Sequence, residues 1–390
     1  MRRGPWPHMC GQAARHMCRA ERHIYSWLSM RSPRPDIALG LCVLGVALFA
    51  ICGCGSSAGH SPVIGVSTPT LVSIGAGLKG PTGLRASVYA QGPLTTAAFA
   101  LDSRGRLWLT AAGLENYAHD GVYMVAKAGA PAVKVVSGLK NPLGILWHEG
   151  KLYVASIGRV DEFGDLRGTR FVQHRRILDG PVAKAENNLL AVAPDGRLLM
   201  GITATCDHCA PSSPFSGSIV SFRPDGSDLR LYATRIRAPF GLAYFPGTDD
   251  LFASMNQRDD LGARTPGDWL GLVKEGQDWG FPGCYGQGGR ACAGVPAPVA
   301  VLDEHAASGA VAIATGQLGS SVGTSALVAE WQSAKVMKVA LTRTGSTYKG
   351  SVTQLLSGME KPLALALAPG GSLLVGDWSS GTIYRIQAGA

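Results

Sequence analysis

The feature that most limits this chain is a hairpin pattern that returns along its length. A Pro or polar turn leads into an apolar strand, then a short turn, then a second apolar strand. Copies read TTAAFALDSRGRLWLTAAG over 95–113, NPLGILWHEGKLYVASIG over 141–158 and NNLLAVAPDGRLLMGITA over 187–204. Three more are APFGLAYFPGTDDLFASMN over 238–256, a degenerate GSSVGTSALVAEW over 319–331 and KPLALALAPGGSLLVGDW over 361–378. Turn glycines Gly105, Gly150, Gly196, Gly247, Gly323 and Gly371 mark the register, at intervals of 45, 46, 51, 76 and 48 residues. A unit of roughly 40–50 residues with a hairpin in each copy is the pattern of propeller blades. Asp-Gly and Pro-Gly turns fit, because tight hairpins need residues that accept positive φ. Six copies predict an all-β, six-bladed β-propeller of four-stranded antiparallel blades over 75–388. The one long interval predicts an insertion at about 257–300.

Composition agrees: 52 Gly, 23 Pro and only 16% charged residues favour short strands and turns over long helices. The front of the chain is different. Residues 1–53 read as an N-terminal extension with a signal segment, and 54–74 as a flexible Gly/Ser/Pro linker. An apolar run over 37–53 follows Arg31 and Arg34, short for a membrane span and flanked like a secretory signal. Gly53 before Cys54, with Gly55-Ser56-Ser57 after it, resembles a bacterial lipobox. Cys54 is then the lipid acceptor, and the protein is an extracytoplasmic lipoprotein on the cell membrane. An uncleaved anchor helix is the alternative. Met30 also reads as a natural start, which would make 1–29 an artefact.

The formal charge is +9, but residues 1–53 hold seven Arg against two acidic residues, leaving +4 for the rest. A surplus that small over so long a chain excludes nucleic acid as the partner. Outside the front segment remain Cys206, Cys209, Cys284 and Cys292. In an oxidising compartment four cysteines predict two disulfides, and the local pairings 206–209 and 284–292 are favoured. The Cys-x-x-Cys also admits a redox motif or half a zinc site, but no βαβ context or second ligand pair accompanies it.

A sub-repeat opens three blades: Gly138-Leu-Lys-Asn-Pro-Leu-Gly144, Arg235-Ile-Arg-Ala-Pro-Phe-Gly241 and Gly358-Met-Glu-Lys-Pro-Leu-Ala364. Pro keeps the preceding residue extended. Lys140, Asn141, Arg237 and Lys361 are thereby expected near one mouth of the central tunnel, where cations suit an anionic ligand. Solvated rim charges are the plainer reading.

The run NNLLAVAPDGRLLMGITATCDHC, then IRAPFGLAYFPGTDDLFASMNQRDDLG, then DWLGLVKEGQDWGFPGCYG resembles the glucose/sorbosone dehydrogenase family. The resemblance covers most of 75–388. It implies a six-bladed propeller that oxidises a sugar hydroxyl or aldehyde with pyrroloquinoline quinone and Ca²⁺. Such chemistry needs a base for the hydroxyl proton, a cation for developing negative charge and hard oxygens for calcium. By resemblance Arg237 sits against the quinone; Lys140, Asn141 and Lys361 at the blade entrances, with Asn188 and Arg258, are the further candidate cofactor contacts. Asn256 and Asp259 fall where relatives bind calcium, largely through main-chain oxygens; a turn cap is the other reading of the acidic pair. The family's catalytic His falls at Ala185 or Glu186 here, so Glu186 is the candidate base if burial raises its pKa. A Glu on an exposed loop is the alternative.

Other residues draw attention more weakly. Asp207 and His208 lie in the Cys-x-x-Cys loop and could reach a substrate. His119-Asp120 reads as turn chemistry. Trp279, Trp331 and Trp378 either stack on sugars or pack between blades. Three functions follow: a quinone-dependent sugar or aldehyde dehydrogenase, a non-catalytic scaffold or carbohydrate-binding lipoprotein, and a calcium-dependent lactonase. The lactonase would draw on Asn141, Asn187, Asn188 and Asn256.

Overall fold

The computed structural model describes residues 70–114, 116–179, 186–286 and 290–389. Cys54 and the signal segment lie outside them. Among the described residues, six antiparallel four-stranded blades follow one another along the chain. Blade 1 is Thr96–Leu101, Leu107–Ala111, Gly121–Val125 and Val133–Val136. Blade 2 is Gly144–His148, Lys151–Ser156, Arg159–Arg167 and Arg170–Asp179. Blade 3 is Asn187–Val192, Leu198–Ile202, Ser218–Phe222 and Arg230–Thr234, with Gln277–Asp278 added in parallel at its outer edge. Blade 4 is Ala238–Tyr244, Leu251–Asn256, Gly267–Val273 and Ala300–Glu304. Blade 5 is Ser308–Thr315, Thr324–Glu330, Lys335–Thr344 and Thr347–Leu356. Blade 6 is Pro362–Leu367, Leu373–Asp377 and Thr382–Ala388, and its outer strand is Leu84–Gln91 from the start of the chain. The first strand of each blade packs on the first strand of the next, and blade 6 on blade 1, so the innermost strands close a ring.

Two expectations change in detail. The 257–300 stretch is not wholly extra, because Gly267–Val273 is the third strand of blade 4. Its additional length is the loop after that strand, closed by Cys284–Cys292. In blade 5 the innermost strand is Ser308–Thr315, ahead of the degenerate copy, and 319–331 carries only the second strand.

The second strands of blades 1, 3, 4 and 6 are buried at every position. Neighbouring blades cover both faces, so these strands read as apolar runs without alternation. Such close packing explains the glycine in the blade-opening sub-repeat. A Cβ on Gly144 would meet the Asn188 carbonyl oxygen of blade 3 at 2.2 Å, and one on Gly241 the Gly309 oxygen of blade 5 at 2.5 Å.

Buried carboxylates join the blades where these strands meet. Asp120 accepts the N–H of Gly113 at 2.7 Å and, across to the next blade, of Asn141 at 2.6 Å. Asp268 does the same between blades 4 and 5, accepting from Gln257 at 2.8 Å and Ser308 at 2.9 Å. Each satisfies N–H groups at strand ends that the sheets leave unpaired.

Candidate functional site

Antiparallel order places the start of each innermost strand, the end of each second strand and the start of each third strand at one end of the ring, here the mouth. Its floor is apolar. Leu143, Leu363, Ala97 and Ala112 form one cluster with half-buried Phe240, Trp331 and Trp378. Leu143, Phe240 and Leu363 belong to alternate blades, so the cluster reaches across the ring at this level. The Trp378 indole N–H donates to the Ala112 oxygen at 2.9 Å, and Trp331 meets Trp378 edge to face at 5.5 Å. Two of the tryptophans therefore both bridge blades and present a surface to the mouth.

Arg237 directly precedes blade 4 and is 7% exposed. Its guanidinium pairs with Asp207 and lies 3.8 Å from Asp259, and its Nε donates to the Asp207 carbonyl at 3.2 Å. The expected basic rim is thus corrected here: two carboxylates meet this cation. Asp207 arrives in the loop between the second and third strands of blade 3, within the ring closed by Cys206–Cys209. Glu186, one residue before blade 3, also feels Arg237. Burial raises its carboxyl pKa, while Arg237 and a Thr203 side-chain hydrogen bond oppose the rise. It is partly buried, which sets aside the exposed-loop reading.

One participant was not singled out from the sequence. His305, just before blade 5, holds its Nδ1 2.8 Å from Asp259 Oδ1. Asp259 is partly buried, and desolvation raises its carboxyl pKa against the pull of Arg237. With a carboxylate at Nδ1 the ring is oriented and Nε2 becomes the acceptor. The His305 side chain is 48% exposed. His305 and Ala307 both take left-handed backbone, φ 51° and 48°, which non-glycine residues adopt only where the surroundings hold them. The signal available in sequence was position: Arg237, Glu186 and Lys361 stand immediately ahead of innermost strands, and His305 three residues ahead of one.

The remaining candidates disperse. Arg258 is clamped by Asp260 through two 2.6 Å bonds and lies over the Tyr285 ring at 4.7 Å. Lys140 lies over Tyr117, and Lys361 over Trp331 at 4.0 Å with a 2.8 Å bond to Gln332. Asn188 Nδ2 donates to Thr203 and to the Pro239 oxygen, both at 2.9 Å, and Asn256 Nδ2 to the Ser308 oxygen at 2.8 Å. Asn256 is therefore a blade-to-blade tie. With Asp259 held by His305 and Arg237, these two side chains build no calcium cage. Among the described residues no group of three or more His, Cys, Asp or Glu is arranged to hold a metal.

Some buried polar atoms at the mouth have no partner: Asn141 Nδ2, Asn188 Oδ1 and Glu330 Oε2. Burial raises the Glu330 pKa, and it pushes the Asp268 carboxyl up to about 6 despite its two N–H donors. Both groups bind protons more tightly folded than unfolded. Their stabilising effect is present below the ordinary carboxylate range and is lost as pH rises through the folded values. For Asp268 that is on the order of 3 kcal/mol. Melting temperature is expected to fall between about pH 4 and about pH 8. Glu330→Gln keeps an acceptor for the Asp303 N–H and should flatten part of the decline; an unchanged slope would remove Glu330 from it.

No family model and no curated protein matches the chain. Solved structures do. The PQQ-bound aldose sugar dehydrogenase of Streptomyces coelicolor is 17% identical, with a TM-score of 0.62 over 80% of this chain and 100% of that one. The holo PQQ domain of pyranose dehydrogenase from Coprinopsis cinerea is 14% identical, with a TM-score of 0.66 over 80% and 97%. A calcium structure of a Trichoderma reesei carbohydrate-active enzyme of family AA12 is 15% identical, with a TM-score of 0.63 over 83% and 98%. At these identities the likeness is one of fold: the chain is a six-bladed propeller that shares its fold with these three proteins.

Proposed function

We propose that the mouth oxidises a hydroxyl or aldehyde of a small sugar, with pyrroloquinoline quinone as the acceptor, in an extracytoplasmic protein anchored by lipid on Cys54. The observation that carries this reading is the convergence of His305, Asp259 and Arg237 beside an aromatic floor. An aromatic floor takes the apolar face of a pyranose, and a polar rim takes its hydroxyls. The quinone, when bound, supplies the hydride acceptor. The residues fit such a group in part. Arg237 and Lys361 supply cations, and the buried Asn141 amide has a donor without a partner. Calcium has no side-chain cage here and enters no step.

His305 Nε2 is placed to accept the hydroxyl proton, and Asp259 keeps the opposite nitrogen protonated and steadies the charge that follows. Arg237 offsets negative charge as it grows on oxygen. Glu186, held towards its neutral form by burial, is the second group able to exchange a proton there. Aldose-driven dye reduction by protein loaded with the quinone is the test. His305→Ala is expected to lower kcat by roughly 10²-fold or more with a smaller change in KM. Equal turnover in the two proteins would remove His305 from the chemistry.

The carboxylates on Arg237 favour a second reading, a carbohydrate-binding propeller without turnover. Sugar binding with no quinone-dependent dye reduction would establish it. For the lactonase reading, Asn141 already spends its Oδ1 on the Leu114 N–H, whereas Asn187, Asn188 and Asn256 donate only their amide N–H groups to backbone oxygens, so no observation favours it.

A further inference from the structure

Asp207 is bound the way a ligand would be. Its carboxylate accepts the consecutive N–H groups of Asp259, at 3.0 and 3.1 Å, and Asp260, at 2.7 Å, and it pairs with the Arg237 guanidinium. Successive backbone N–H groups beside a buried guanidinium form a concavity for an anion. These groups belong to blade 4 and the carboxylate to blade 3, 52 residues away in sequence from Asp259. What brings it there is a four-residue ring, since Cys206 and Cys209 flank Asp207 and are joined to each other. The ring is itself at the surface, with half-buried Cys206 and Cys209 around exposed His208.

We propose that this is a carboxylate-binding site whose internal occupant, Asp207, is held in place by the Cys206–Cys209 disulfide, and that opening the disulfide lets an external carboxylate take the site. The opening is a two-electron exchange. A dithiol attacks one sulfur, the S–S bond breaks, the two cysteines leave as thiols with two protons, and the dithiol becomes a cyclic disulfide. The freed loop loses its closed ring, and the Asp207 carboxylate then competes with ligands in solution instead of being delivered by the chain.

The proposal does not require the dehydrogenase reading, and its test uses no sugar and no quinone. Acetate is titrated against the full chain, with sodium chloride at equal ionic strength as control, and melting temperature is read. Oxidised wild type is expected to show no acetate-specific shift. Asp207→Gly, with the site emptied, should rise by roughly 2 °C or more. The double variant Cys206→Ser/Cys209→Ser keeps Asp207 and leaves Cys284–Cys292 untouched; it should respond to acetate in the same sense, and it carries the test should Asp207→Gly not fold. Dithiothreitol-treated wild type should follow it. A response equal to that of chloride, or an acetate shift in oxidised wild type as large as in the variants, would overturn the proposal.

Discussion

A chain beginning at Gly92 is expected to lose its cooperative fold. Blade 6 takes its outer strand from Leu84–Gln91, which pairs along Thr382–Ala388 from Thr382 with Gln91 to Ala388 with Leu84. The truncation also removes the hairpin Val72–Gly75 and Leu78–Gly80, which is bridged to blade 5 through Lys79 and Ser357. Ile74, Leu78 and Leu84 are buried, and burial of each such side chain is worth about 1.5–3 kcal/mol. The sum rivals the whole stability of a typical domain, about 5–15 kcal/mol. The exposed edge of Thr382–Ala388 would then invite pairing with another chain. Since Gly389 already bonds to Gly83, joining 84–91 after residue 389 through a short turn should restore part of the melting transition. A truncated protein that melts cooperatively at the wild-type temperature would show that the ring does not depend on this closure.

The blades were legible where turn chemistry and burial agree. Arg-Gly, Glu-Gly, Asp-Gly and Pro-Gly turns punctuate blades 1 to 4, and the wholly buried second strands read as apolar runs. Blade 5 was displaced because its innermost strand, SGAVAIAT, is made of small residues and lacks the Pro opening of its neighbours. Gly267–Val273 was hidden inside a long interval, since burial at all seven positions removes the alternation that marks a half-exposed strand. The site was legible only as single positions. Arg237 and Glu186 stand where the blade register puts them, but the carboxylates that meet Arg237 come from the disulfide loop of blade 3 and from the loop after the second strand of blade 4. His305 depends on a partner 46 residues away, and misplacing the start of blade 5 removed the register that would have marked it.

Arg237→Ala is expected to have the largest effect on the site. Removing this buried cation takes the counter-charge from Asp207, Asp259 and Glu186, so the Asp259 and Glu186 carboxyl pKa values should rise further. An anionic quinone would then meet a mouth with its cation gone and its acids still present. Charged hydrogen bonds of this kind are worth about 1.5–3 kcal/mol, so at least a tenfold weakening of quinone binding is expected. Arg237→Lys, which keeps the charge and loses the fork, should fall between.

The most direct measurement is an absorbance titration of pyrroloquinoline quinone into the folded full-length chain and into Arg237→Ala. Saturable binding by the wild type, lost or at least tenfold weaker in Arg237→Ala, is the expected result. No saturable binding by the wild type, or equal binding by the two, would contradict a quinone site at this mouth.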